Sequence, residues 1–194
     1  MSSRTQLGII AVVLGLVLSF GGAAIYASYE KQSAAAKQNA AYFLMALEED
    51  IRQNHLQTVI TEAPSGQMPR TSLQEQPFLG ILEAEEAGIR LPVLDNWSYD
   101  RLELGPCRWS GSLEERNLIL LGHNYEGHLA DLDQLEPGDP ICFTDVNGHT
   151  TTFFVDNTEV ISPHETDVLS QPDCPLTIFT CTPGGQNRYV VWCK

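Results

Sequence analysis

Three side chains at the edges of short apolar runs have types that suit acyl transfer. Thr177-Ile178-Phe179-Thr180-Cys181 ends in a thiol, and Arg188 opens a second run, Tyr189-Val190-Val191-Trp192, seven positions later. Upstream, Leu118-Ile119-Leu120-Leu121 leads through Gly122 to His123 and Asn124. A thiolate is a good nucleophile, but a cysteine with its usual pKa of about 8.5 is mostly protonated at neutral pH and needs a base or a cation beside it. An imidazole can protonate a departing amine and later deprotonate an incoming one. A guanidinium keeps its charge and turns a fork of donors toward an oxyanion. Thr180 and Asn124, beside the thiol and the imidazole, are candidates for touching substrate. Each residue alone also fits a plainer role: a buried thiol, a turn histidine, an edge-strand arginine. His128 is a rival to His123, whereas His55, His149 and His164 read as solvated.

These groups can meet only through the fold, since His123 and Cys181 are 58 residues apart. The order His, Cys, Arg is the reverse of the early-Cys, late-His order of papain-like hydrolases. Short apolar runs punctuated by Gly, Pro, Asn and Asp fill residues 77–194 and read as strands. They are Phe78-Leu79-Gly80-Ile81-Leu82, Ile89-Arg90-Leu91-Pro92-Val93, 117–122, 140–144, 150–161, 176–181 and 188–193. Asn147-Gly148 and Pro183-Gly184-Gly185 mark tight hairpins, the latter setting Cys181 and Arg188 on neighbouring antiparallel strands. Leu129, Leu132 and Leu135 have helical-turn spacing. The fold expected is mainly β, a closed or nearly closed barrel of about 118 residues, enough for one core.

Ahead of the barrel, residues 7–26 are uncharged and mostly apolar. Twenty helical residues span roughly 30 Å, the hydrocarbon thickness of a bilayer. This predicts an uncleaved membrane anchor behind a cytoplasmic tail, 1–6, with the large carboxy-terminal part outside the cell. A cleaved signal would have a shorter apolar core. Residues 33–60 lack Pro and Gly and read as a helix; 61–76 read as a polar linker. Together, 27–76 form a stalk.

The chain has 11 Lys/Arg against 25 Asp/Glu, and Arg4 is the sole charge before residue 27, leaving −15 on 27–194. So acidic a surface excludes nucleic acid and polybasic lipid contacts as partners. Asp131, Asp133, Glu136 and Asp139 lack the spacing of a calcium loop, so no metal or other cofactor is expected. The five cysteines contain no C-x-x-C pair, which argues against a zinc ribbon or thioredoxin-like motif; disulfides among Cys107, Cys142, Cys174 and Cys193 stay open.

With these residues in view, 77–194 resembles the sortase family. Thr177-Ile178-Phe179-Thr180-Cys181 is similar to its Thr-Leu-x-Thr-Cys signature, with Ile178 for Leu. Gly122-His123-Asn124 resembles its histidine segment, Leu132-x-x-Leu135-x-x-Gly138-Asp139 the stretch after it, and Arg188 the arginine of its last strand. The resemblance implies an eight-stranded barrel on a membrane anchor. It implies cleavage of a Leu-Pro-x-Thr-Gly-like sorting motif on secreted proteins, through a thioester on Cys181, with transfer to an amine of a peptidoglycan precursor or a pilin. His123 would shuttle the proton, Arg188 would hold the substrate carbonyl, and Thr180 would align substrate. The lack of an Asp-Pro-aromatic lid before Phe78 and of a second apolar span after Lys194 points away from a pilin-polymerising type. That leaves a housekeeping anchor or class B or D, and the single amino-terminal anchor, Gly122-His123-Asn124 and the short terminal hairpin favour class B or D. Two alternatives share the same residues: a hydrolase using water, and a non-catalytic peptide-binding surface protein.

Overall fold

The computed structural model describes residues 3–57, 67–171 and 173–194. The chain divides into two compact units, Met1–Ala35 and Ala36–Lys194. The first is helical: helix α1 runs over Ser3–Gln57 and begins there. Its apolar side chains, such as Leu14, Val17 and Phe20, are exposed all round, and the stretch is long and apolar enough to cross a membrane. The expected end of the stalk helix at Ile60, and the breakers Pro64 and Gly66, lie outside the described residues.

In the second unit α1 changes character. Ala36, Ala40, Phe43 and Leu47 fall on one stripe at spacings of four and three and are buried. Phe43 meets Phe78 of the barrel at 5.1 Å between ring centroids, and Leu47 joins the same cluster with Ile81 and Leu94. Polar ties flank the stripe: Gln74 donates to the Tyr42 hydroxyl at 2.7 Å, Lys37 pairs with Glu126 at 2.8 Å, and Arg90 bridges Glu48 and Glu83. This part of the stalk is therefore packed on the barrel wall rather than being a bare spacer.

The barrel strands are β2 (Gln76–Ala84), β3 (Ile89–Leu94), β4 (Cys107–Ser110), β5 (Leu118–Gly122), β6 (Pro140–Asp145), β7 (Thr150–Ile161), β8 (Leu176–Cys181) and β9 (Arg188–Cys193). The order β2-β3-β4-β5-β8-β9-β7-β6 closes when β6 returns to β2, so eight strands form the expected closed barrel. Closure gives each of these eight strands a neighbour on both sides. A ninth strand, β1 (Thr71–Leu73), lies against β2 within the segment expected as linker. Its turn, Gln74-Glu75, has two positive φ values, 48° and 64°. That is the geometry usually filled by Asn-Gly, built here without glycine, which is why the sequence hides it.

Period-two alternation sorts the strand residues. Leu118, Leu120, Leu176, Ile178, Val191 and Cys193 fill the interior, and Leu132 of the 3₁₀ turn Ala130–Gln134 joins them with Leu129 and Leu135, which flank it. Ile119, Phe179, Val190 and Trp192 face outward and are covered by Ile161, Leu169 and Cys174. All five cysteines are free thiols, and Cys107, Cys174 and Cys193 are buried. Asp139 accepts from the Glu136 backbone at 2.8 Å; among the described residues no three His, Cys, Asp or Glu side chains converge as for a metal.

Candidate active site

Strand register brings the three expected groups together. β5 and β8 run parallel with Gly122 opposite Thr180, so His123 leaves β5 beside the end of β8. β8 and β9 run antiparallel with Cys181 directly opposite Arg188. Alternation puts Cys181 on the outward face with Phe179, and cross-strand pairing puts Arg188 on the same face. The connection, residues 182–187, is a compact turn. Thr182 and Asn187 bond across it at 3.0 and 3.2 Å, and Gly184 and Gly185 supply φ values of 83° and 72° that other residues resist.

His123, Thr180, Cys181 and Arg188 line one cleft of about 220 Å³. Its far wall is aromatic. Trp97 and Trp109 stack at 5.2 Å and 20°, and Trp109 meets Phe179 edge-on at 6.0 Å. A buried carboxylate braces this wall: Asp95, 2% exposed, pairs with Arg108 at 2.5 Å and Arg70 at 3.0 Å. Arg108 precedes Trp109 on β4, so the ion pair fixes the strand that presents the indole.

The imidazole of His123 is held from two sides. Tyr125 stacks on it at 4.5 Å and 23°, and the Glu103 carboxylate lies 3.4 Å from Nε2. Burial pushes the His123 pKa below the usual imidazole range, and Glu103 offsets part of that shift by favouring the charged ring. Burial thus favours the neutral ring, the form that could accept a thiol proton. A hydrogen bond from Nε2 to Glu103 would direct Nδ1 elsewhere. Arg188 donates through Nη1 to the carbonyls of Gly185 and Asn187, at 3.2 and 3.0 Å, which anchors the guanidinium at the rim of the cleft.

The other candidates fare differently. The Thr180 hydroxyl, 4% exposed, donates to the Gly122 carbonyl at 2.9 Å, so its proton ties β8 to β5 instead of reaching into the cleft. Asn124 donates to the Thr182 carbonyl at 3.2 Å and links the segments that follow His123 and Cys181. His128 is buried away from the cleft, with Nε2 3.2 Å from the Ala36 carbonyl, and burial lowers its pKa to about 4. It holds helix α1 and is no rival for the proton shuttle. His149 sits in the hairpin turn, 3.4 Å from Asp145, and His164 is exposed. The side chain of His55 lies outside the described residues. Glu103, Trp97 and Trp109 went unnoticed in the sequence, because nothing local ties them to His123 or Cys181.

A family model for the Sortase domain matches residues 82–194. Among solved structures, the chain is similar to the Sortase D5 transpeptidase of Clostridium perfringens. Identity is 22% over 83% of this chain and 98% of that one, with a TM-score of 0.57. It is also similar to sortase C1 of Streptococcus agalactiae, at 24% identity over 63% and 69% of the two chains and a TM-score of 0.55. A lid mutant of Sortase A from Corynebacterium diphtheriae matches at 19% identity over 79% and 94%, again at 0.55. At such identities the likeness is one of fold. No curated protein matches the chain.

Proposed function

Since the chain belongs to the sortase family, we propose that it is a membrane-anchored cysteine transpeptidase acting on sorting signals of secreted proteins. The observation that carries the reading is the register: Cys181 opposite Arg188 on one hairpin, with His123 leaving the adjacent parallel strand into the same cleft.

The chemistry follows from the residues. Neutral His123 takes the thiol proton as Cys181 attacks the carbonyl carbon of the scissile peptide bond. The carbon–nitrogen bond breaks, and His123 passes the proton to the departing amine, leaving a thioester on Cys181. An acceptor amine then attacks, its proton goes to His123, and the sulfur leaves. Arg188 faces the carbonyl oxygen as negative charge develops on it. The aromatic wall suits an uncharged, apolar stretch of the donor, as in a Leu-Pro-x-Thr-Gly-like motif. The acceptor would be an amine of a peptidoglycan precursor or a pilin. Residues 1–6 would be cytoplasmic, 7–26 the single span, 27–76 the stalk, and 77–194 the catalytic barrel outside the cell. The short 182–187 turn supports a class B or D type.

The test is a panel of sorting-motif peptides offered to the full chain in detergent micelles, read by intact mass for an acyl adduct. The parent should gain the mass of the peptide up to its cleavage point, on Cys181. Cys181→Ala should lose both adduct and cleavage while melting like the parent, because the side chain is only partly buried. Cleavage that survives in Cys181→Ala would sink the proposal.

A further inference from the structure

The end of β8 borders two concavities. One is the aromatic cleft. The other, about 260 Å³, opens at the barrel mouth between the Ala130–Gln134 turn and the 182–187 turn. Ala130, Asp133, Val160, Pro183 and Tyr189 line it, and Thr180 and Cys181 form the wall common to both. Nucleophilic sulfur between two hollows is what a two-substrate transfer requires, one hollow for each partner.

Charge separates the two. The aromatic cleft carries Arg188 and no carboxylate among its described lining residues. The second carries Asp133 as its only charged lining residue, exposed and in no ion pair among the described residues. Among the described residues no cation lines that hollow to compete for the carboxylate. The segment bearing His123 also folds back toward it, since Leu129 N donates to the His123 carbonyl at 3.1 Å just before the Asp133 turn begins.

We infer that this second hollow is the acceptor site and that Asp133 receives the primary ammonium of the incoming substrate. The inference rests on the transpeptidase reading and names where its second substrate binds. The ammonium docks on Asp133 and releases one proton to water; the resulting amine attacks the acyl carbon, and His123 takes a second proton as the amide bond forms. The carbon–sulfur bond breaks, and the Cys181 sulfur regains its proton from His123. The α-ammonium of an oligoglycine and the side-chain ammonium of a lysine share this chemistry.

The experiment uses the full chain in micelles with a Leu-Pro-x-Thr-Gly-type donor peptide and three acceptors. These are triglycine, Nα-acetyl-lysine amide, and hydroxylamine, which is uncharged near neutral pH. An exposed ion pair alters binding by about two- to fivefold, so Asp133→Asn should raise KM for the charged acceptor by that factor. Asp133→Lys should raise it by about tenfold or more, and Asp133→Glu should restore the parent value. Salt at about 1 M should erase most of the difference. Hydroxylamine turnover and hydrolysis of the acyl-enzyme should not change. An effect confined to triglycine or to the lysine amide supports the site and identifies the acceptor's source. Unchanged KM for both in Asp133→Lys, or an equal loss with hydroxylamine, overturns the inference alone. Absence of any acyl adduct in the parent overturns the transpeptidase reading, and this one with it.

Discussion

Replacing Thr180 by Val separates two roles for a residue beside the thiol. Valine keeps the shape and the β-branch, so packing is conserved and only the hydroxyl is lost. That hydroxyl donates to the Gly122 carbonyl at 2.9 Å in a site 4% exposed to solvent. Removing the donor should cost about 1–2 kcal/mol. For a domain of this size that corresponds to a melting temperature lower by roughly 3–8 °C. The bond joins the last residue before His123 to the last residue before Cys181, so its loss also loosens the pair proposed to exchange a proton. A displacement of a few tenths of an ångström should lower kcat by about three- to fivefold, given that about 1 Å can cost a hundredfold. The donor peptide's KM should barely move, because the hydroxyl proton is not offered to the cleft. The assay pairs thermal melts with kcat and KM for donor cleavage, for Thr180→Val and Thr180→Ser. Serine retains the donor and should recover most of both losses. A Val variant with parental melting and kcat but a raised KM would refute the tie and restore Thr180 as a substrate contact.

Other substitutions probe the remaining groups. Arg188→Lys keeps the charge but loses the planar fork, and kcat/KM for donor cleavage should fall about a hundredfold with little change in melting. Glu103→Gln removes the carboxylate that favours a charged His123, so the acid limb of the kcat/KM profile should move to lower pH; a move to higher pH would show that Glu103 does not act on the ring. His128 is an acid-sensitive group of the fold. Its pKa falls from 6.5 to about 4 on burial, so the stability it permits is intact above about pH 6.5 and is lost as pH drops toward 4. Denaturation at stepped pH should show a loss of about 2–3 kcal/mol over that window, and His128→Gln should flatten it.

The strands that form the site were the easiest to read. Thr150–Ile161, Leu176–Cys181 and Arg188–Cys193 are runs of β-branched and aromatic residues between glycine- or proline-marked turns, and their limits match the expectation. From that hairpin alone, Cys181 opposite Arg188 follows. β4 escaped because Cys107-Arg108-Trp109-Ser110 is only four residues long, too short for its alternation to stand out. Arg108 is there to meet Asp95, a partner 13 residues away that no local pattern predicts. Glu103 and the two tryptophans come from the chain between β3 and β5, so the proximity of Glu103 to His123 and of Trp109 to Phe179 exists only once the barrel closes. The docked face of α1 was present as the spacing of Ala36, Ala40, Phe43 and Leu47, but its partner surface on β2 was not. Thr180 illustrates a subtler limit. Position beside a nucleophile suggested contact with substrate, while alternation along β8 turns its hydroxyl toward Gly122.

The sequestration of sulfur in the barrel has a practical corollary. Cys107 and Cys193 lie in the core, where burial pushes both thiols up, Cys107 to about 12, and Cys174 is buried as well. An alkylating reagent applied to the native protein therefore has only Cys142 and Cys181 within reach. Two added masses would fall to one whenever the Cys181 sulfur carries the acyl group of the proposed reaction, so iodoacetamide becomes a counter of acylated protein, with Cys142 as its built-in standard.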